Sequence, residues 1–74
     1  MTLPRKRLLH VEDDADFLAY VKLILEDIAD IDQAETLESA HELLDKNTYD
    51  LLLLDVDLPD GSGMTILDEF RFIH

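Results

Sequence analysis

Cysteine is absent from the 74 residues, and so is tryptophan. Without cysteine, neither a disulfide nor a thiolate metal site can staple the fold. No apolar run approaches the length that a membrane span requires. Basic residues are scarce: six Lys and Arg stand against 18 Asp and Glu, giving a net charge of −12. Three of the six sit together as Arg5-Lys6-Arg7, so the remainder is more acidic still. Such a surface repels phosphate backbones and excludes direct nucleic-acid binding. The basic start has no apolar signal core behind it, so a cytoplasmic protein is expected. Glycine and proline number only two each, and Pro59, Gly61 and Gly63 fall within five residues of one another. Turn chemistry is thereby concentrated at one place in the chain.

Hydrophobic residues make up 47% of the sequence, which argues for a packed globule. The length allows one small domain. A chain this short buries only about 60% of its unfolded surface, so marginal stability and a homo-oligomeric partner are expected.

Alternation of apolar runs with helical periodicity runs along the whole chain. Arg7 to Val11 is a short apolar run that stops at Glu12-Asp13-Asp14. It reads as a buried strand ending in an acidic loop. Asp14 or Asp16 is placed to cap the helix that follows. Phe17, Val21, Ile24 and Ile28 repeat at helical spacing, with Leu18 and Leu25 beside them, and predict a helix that ends near Asp27 to Asp30. Ile31 to Glu35 predicts a weak edge strand. Thr36 is a candidate N-cap for a second helix with Leu37, Ala40, Leu43 and Leu44 as its apolar stripe and Lys46 and Asn47 at its end.

Tyr49 to Val56 holds four consecutive leucines bounded by acids, which predicts a strand buried on both faces. Leu58 to Gly63 then reads as a turn, and Met64, Ile66, Leu67, Phe70 and Ile73 predict a third helix. Strand–helix–strand–helix–strand–helix at this spacing implies an α/β fold with a parallel sheet and right-handed crossovers.

In such sheets ligands sit beyond the carboxyl ends of the strands, at a topological switch point. Two predicted strands end in acids: Glu12-Asp13-Asp14 after the first and Asp55 after the third. Adjacent strands lie about 4.8 Å apart, so these carboxylates can converge. A group of carboxylates repels itself unless a cation joins it, and Mg²⁺ suits one or two carboxylates plus waters and phosphate oxygens. A carboxylate can also attack phosphorus and form an acyl phosphate. Asp55 is the nucleophile candidate, because a strand fixes its position; Asp13 and Asp14, on a loop, suit a metal. Taken singly, the acids have blander readings: N-caps for Asp13 and Asp14, a solvated strand terminus for Asp55. His10, His41 and His74 have no mutual spacing that points to a metal or a catalytic pair.

The combination closely resembles the receiver domain of two-component response regulators. Leu8-Leu9-His10-Val11-Glu12-Asp13-Asp14 is similar to the family's first strand and acidic pair. Leu51 through Gly63, with Asp55, Pro59 and Gly61 in place, is similar to its phosphorylated strand and the loop after it. Ala34 to Ala40 is a looser match to the segment entering the second helix. The resemblance implies a flavodoxin-like fold, five parallel strands in order 2-1-3-4-5, of which residues 1–74 match a receiver truncated to three βα units, order 2-1-3. It implies that Asp55 accepts a phosphoryl group from a sensor histidine kinase or phosphotransfer protein. It also implies Mg²⁺ held by Asp13, Asp14 and Asp55 with the backbone carbonyl of Asp57. The family's Thr or Ser switch residue and its Lys have no counterpart among these residues.

The expected activity is therefore that of a phosphoacceptor rather than a turnover enzyme. In the three-stranded form the third strand is an apolar edge, so a dimer through that edge is expected. Two other readings stay open: a protein-interaction or dimerisation module without phosphotransfer, and a haloacid-dehalogenase-like phosphatase fragment. The latter takes its support from Asp55-Val56-Asp57, but Leu58-Pro59 stands where that family usually has Gly-Thr.

Overall fold

A computed structural model of the chain describes residues 5–68. Three parallel strands form its sheet: β1 (Lys6–Val11), β2 (Ala29–Ala34) and β3 (Leu51–Leu54). β1 is central, and the order is β2-β1-β3. Register runs from Lys6 opposite Ala29 on one side and from Leu8 opposite Leu51 on the other. Helix α1 (Ala15–Leu25) joins β1 to β2, and α2 (Leu37–Lys46) joins β2 to β3. After β3, β4 (Asp57–Leu58) and β5 (Gly61–Ser62) make a small antiparallel hairpin that leads into a 3₁₀ helix (Gly63–Asp68).

The two faces of β1 alternate, as pleating requires. Leu9 and Val11 enter a core with Ala34, Ala40, Tyr49, Leu58 and Ile66. Leu37, Leu43, Leu44, Leu52 and Leu54 pack around it. Leu8 and His10 are equally buried but turn to the other face, where the His10 ring meets Phe17 of α1 edge-on with centroids 5.6 Å apart.

Both helices start as their sequences dictate. Asp14 caps α1, its carboxylate accepting the N–H groups of Asp16 and Phe17. Thr36 caps α2 in a capping box with Ser39.

Several expectations differ from what is seen. α1 turns Leu18 inward, with Val21 and Leu25 partly covered, while Phe17, Ile24 and Ile28 are exposed. The helix is apolar on most of its circumference, so spacing alone does not select the buried face. It also ends at Leu25, earlier than expected. Arg5 occupies the turn that follows, ion-paired to Asp30 at 2.8 Å and donating to the carbonyls of Glu26, Asp27 and Ala29.

β3 is shorter than expected and is not buried on both faces. Leu51 is exposed and Leu52 to Leu54 are half-buried, because β1 is its neighbour on one side only among the described residues. Tyr49 belongs to the core, yet it precedes the strand. The turn at Leu58–Gly63 contains the β4–β5 hairpin, and the segment expected as a third helix opens as 3₁₀ helix. Phe70 and Ile73, expected on that helix, lie outside the described residues.

Candidate functional site

The site forms where β1 and β3 end side by side. Backbone bonds carry both ladders past the strand ends: Asp55 N–H donates to Val11 carbonyl at 2.9 Å, and Glu12 N–H to Ala34 carbonyl at 2.9 Å. These bonds fix Glu12 and Asp55 at the same level on neighbouring strands. Carboxylate oxygens of Glu12, Asp13 and Asp55 lie within 4.8 Å of one another. Glu12 and Asp55 are half-buried, and Asp13 is exposed.

Crowding three acids has an electrostatic signature. The Glu12 carboxyl is pushed up to about 7, first by desolvation, then by a side-chain hydrogen bond with Asp55 and the charges of Asp55, Asp13 and Asp14. Such a carboxyl keeps its proton well above the usual carboxylate range, and a bound cation would displace it. All three donors are hard oxygens, which is the donor set that Mg²⁺ and Ca²⁺ take.

Asp55 is further oriented by the chain after it. One of its oxygens, Oδ1, accepts the Asp57 N–H at 3.1 Å. Gly63 N–H returns to the Val56 carbonyl at 2.7 Å, closing the loop. No side chain fits at Gly63: a Cβ there would stand 2.2 Å from the Asp55 carbonyl oxygen.

Of the acids singled out from sequence, Asp13 and Asp55 come together. Asp14 does not join them; its carboxylate is engaged as the α1 N-cap. Its place in the cluster is taken by Glu12, which the sequence shows only as one acid in a loop. The available signal was strand phase: two residues after buried His10, Glu12 faces the same side. Asp57 is exposed, and its backbone adjoins Asp55 through the N–H bond just described. Beside the acids lies an open groove of about 340 Å³ lined by His10, Glu12, Phe17, Val21, Leu53, Leu54 and Asp55.

The model for the response regulator receiver domain matches residues 8–73. This chain belongs to that family. Among curated proteins it is 32% identical to the response regulator protein PilR of Pseudomonas aeruginosa over 73 residues, covering 97% of this chain and 16% of PilR. It is 37% identical to the aerobic respiration control sensor protein ArcB of Escherichia coli over 70 residues, covering 93% of this chain and 9% of ArcB. Among solved structures it resembles the signal receiver domain of a Luxo repressor protein from Vibrio parahaemolyticus, with a TM-score of 0.81 and 35% identity, covering 88% of this chain and 51% of that one. The non-phosphorylated HemR receiver domain from Leptospira biflexa gives 0.80 and 37%, covering 86% of this chain and 52% of that one. The chain thus spans about half of each receiver structure and a small part of each curated relative.

Receiver domains are modules of two-component signalling. The β2-β1-β3 order of the sheet agrees with the flavodoxin-like topology of the family. Receiver domains generally bind Mg²⁺ at an acidic pocket, and the Glu12–Asp13–Asp55 cluster is an acidic pocket of suitable chemistry. Among the described residues no helix is long and apolar enough to cross a membrane.

Proposed function

We propose that Asp55 is the phosphoacceptor of this receiver, taking a phosphoryl group from a phosphohistidine on a sensor kinase or phosphotransfer protein. The observation that carries the proposal is the meeting of Glu12, Asp13 and Asp55 at the ends of two adjacent parallel strands. In the transfer, the donor's N–P bond breaks as an Asp55 oxygen forms the new O–P bond, giving an acyl phosphate. The Asp57 N–H holds Oδ1 and so turns the carboxylate as a whole, leaving its second oxygen as the nucleophile.

Mg²⁺ would be held by Asp13 and Asp55 directly, with the Asp57 carbonyl as a further ligand and Glu12 through water. When bound, it neutralises charge on the transferring phosphoryl group. Asp14 contributes from its N-cap position, by charge rather than by ligation. Residues 1–74 correspond in this reading to the first three βα units of a receiver.

The test is incubation of the chain with a small acyl phosphate donor, read as an intact-mass gain of one phosphoryl group. Uptake is expected with Mg²⁺, lost on chelation, and lost in Asp55→Asn. Mg²⁺ binding without any uptake would remove the phosphoacceptor role and leave the fold.

A second reading rests on β3. Leu51 on this strand is half-exposed, and β1 is its one strand neighbour among the described residues. Apolar edges of this kind pair with other chains, so assembly of two copies along Leu51–Leu54 is the arrangement that reading favours. Solution scattering that gives a monomer at high protein concentration would dismiss it.

A further inference from the structure

The first turn of α2 holds N–H groups that no helical carbonyl can accept. Thr36 Oγ1 takes one of them, from Ser39, at 3.1 Å. Those of Leu37 and Glu38 are taken from outside the helix. Both donate to the carboxylate of Asp60, at 2.8 and 3.1 Å, from more than 20 residues further along the chain. The two bonds hold the Asp60 carboxyl below the usual carboxylate range.

Asp60 stands at the tip of the β4–β5 hairpin, where Leu58 pairs with Gly61. Gly61 has φ of 144°, a backbone state that favours glycine, and a Cβ added there would meet Leu37 Cδ1 at 2.9 Å. The hairpin therefore lies directly against the start of α2. Its first residue is Asp57, whose N–H binds Asp55 Oδ1. Its last leads to Gly63, whose N–H binds the Val56 carbonyl. Two residues, Leu58 and Pro59, separate Asp60, whose carboxylate is held at the start of α2, from Asp57, whose N–H binds Asp55.

We propose that Asp60 is a positioning residue for the acceptor site: by closing the N-terminus of α2 it clamps the β4–β5 hairpin and so sets the backbone of Asp57 relative to Asp55. Its consequence for the cation rests on the reading given under Proposed function. There, the Asp57 carbonyl is a ligand, so clamp and cation support each other, and each strengthens the other by the same factor.

Two substitutions in the full chain separate positioning from plain stability. Asp60→Ala and Thr36→Ala each remove a side-chain acceptor from the start of α2, with similar cost to the helix. Only Asp60→Ala releases the hairpin. Amide exchange by NMR at Asp57 and Gly63 is expected to quicken roughly fivefold in Asp60→Ala, the equivalent of one lost cap. It is expected to stay as in the wild type in Thr36→Ala. Asp60→Asn, whose single amide oxygen keeps an acceptor for only one of the two N–H groups, is expected to recover part of the protection. Mg²⁺ titration should show the same split, with weaker binding in Asp60→Ala only. Unchanged exchange in Asp60→Ala, or equal quickening in Thr36→Ala, overturns the proposal. If the exchange pattern holds while the wild type takes no Mg²⁺, the positioning role stands and the cation reading fails by itself.

Discussion

The carboxyl groups of Glu12 and Asp55 meet within 4.8 Å across the ends of β1 and β3. Desolvation and the neighbouring acids raise Glu12 from an ordinary 4.5 to about 7 in the folded chain. Between these values the folded state keeps a proton that the unfolded state has released. Stability must then fall as pH rises through that window, and level off on either side. Urea unfolding of the metal-free chain from about pH 5 to about pH 7 is expected to show this decline. Glu12→Gln should flatten it, and excess Mg²⁺ should offset it by binding the folded state alone. The same slope in Glu12→Gln would assign the effect to another group.

Asp13 and Asp14 are neighbours in sequence with separate tasks. Asp14 caps α1, so Asp14→Ala is expected to cost about 1 kcal/mol of stability and to leave most Mg²⁺ affinity in place. Asp13 belongs to the carboxylate cluster, so Asp13→Ala is expected to lose most Mg²⁺ affinity at little cost to the metal-free fold. Calorimetric titration and denaturation of the two variants form the check. If Asp14→Ala loses the cation as fully as Asp13→Ala, the division of labour is wrong.

How far this was legible beforehand depends on the kind of signal. Strand–helix alternation, the cap at Thr36 and the place of Asp55 follow from local chemistry, and the structure has each of them. The face of α1 is only partly legible: of the stripe Phe17, Val21, Ile24 and Ile28, only Val21 is partly covered, while the flanking Leu18 and Leu25 turn inward. Only tertiary packing chooses between these sides. Glu12 reads in sequence only as one of three successive acids, with no ligand role of its own. The chain leaves the strand after Val11 and bends at Asp13, which brings Glu12 and Asp13 to Asp55 and leaves Asp14 to cap α1, and no residue type reveals that bend. Asp60 looked like turn punctuation. Its partners, Leu37 and Glu38, are distant in sequence and use backbone N–H groups that no residue type reveals.

Gly63 permits the acceptor loop to close on itself. A Cβ there would collide with the Asp55 carbonyl oxygen at 2.2 Å and with Leu54 Cδ1 at 2.9 Å. The first of these is backbone and cannot swing away. Gly63→Ala is therefore expected to destabilise the fold by about 1–3 kcal/mol, in the range of overpacked interiors, and to shift the amide resonances of Asp55 and Val56. Equilibrium denaturation and NMR would check both. A variant as stable as the wild type would mean that the loop has another conformation within easy reach.

Tyr49 anchors the opposite end of β3. It is 2% exposed, its hydroxyl donates to Asp32 Oδ2 at 2.6 Å, and the Arg7 guanidinium lies over its ring at 5.2 Å. Arg7 also pairs with Asp32 at 3.2 Å, so β1, β2 and the approach to β3 are tied together by three side chains. Tyr49→Phe keeps the ring and removes one hydrogen bond, leaving Asp32 still paired, and is expected to cost about 1 kcal/mol. Tyr49→Ala also empties a core position and is expected to cost about 3–5 kcal/mol. Because Arg7 and Tyr49 lie by the starts of β1 and β3, with Asp32 midway along β2 and the acids at the far strand ends, Tyr49→Phe should leave Mg²⁺ affinity and phosphoryl uptake unchanged. Denaturation and labelling of the two variants would check this. A Phe variant as unstable as Ala would place the energy in the Tyr49–Asp32 bond, and loss of uptake would show that the two ends of the sheet are coupled.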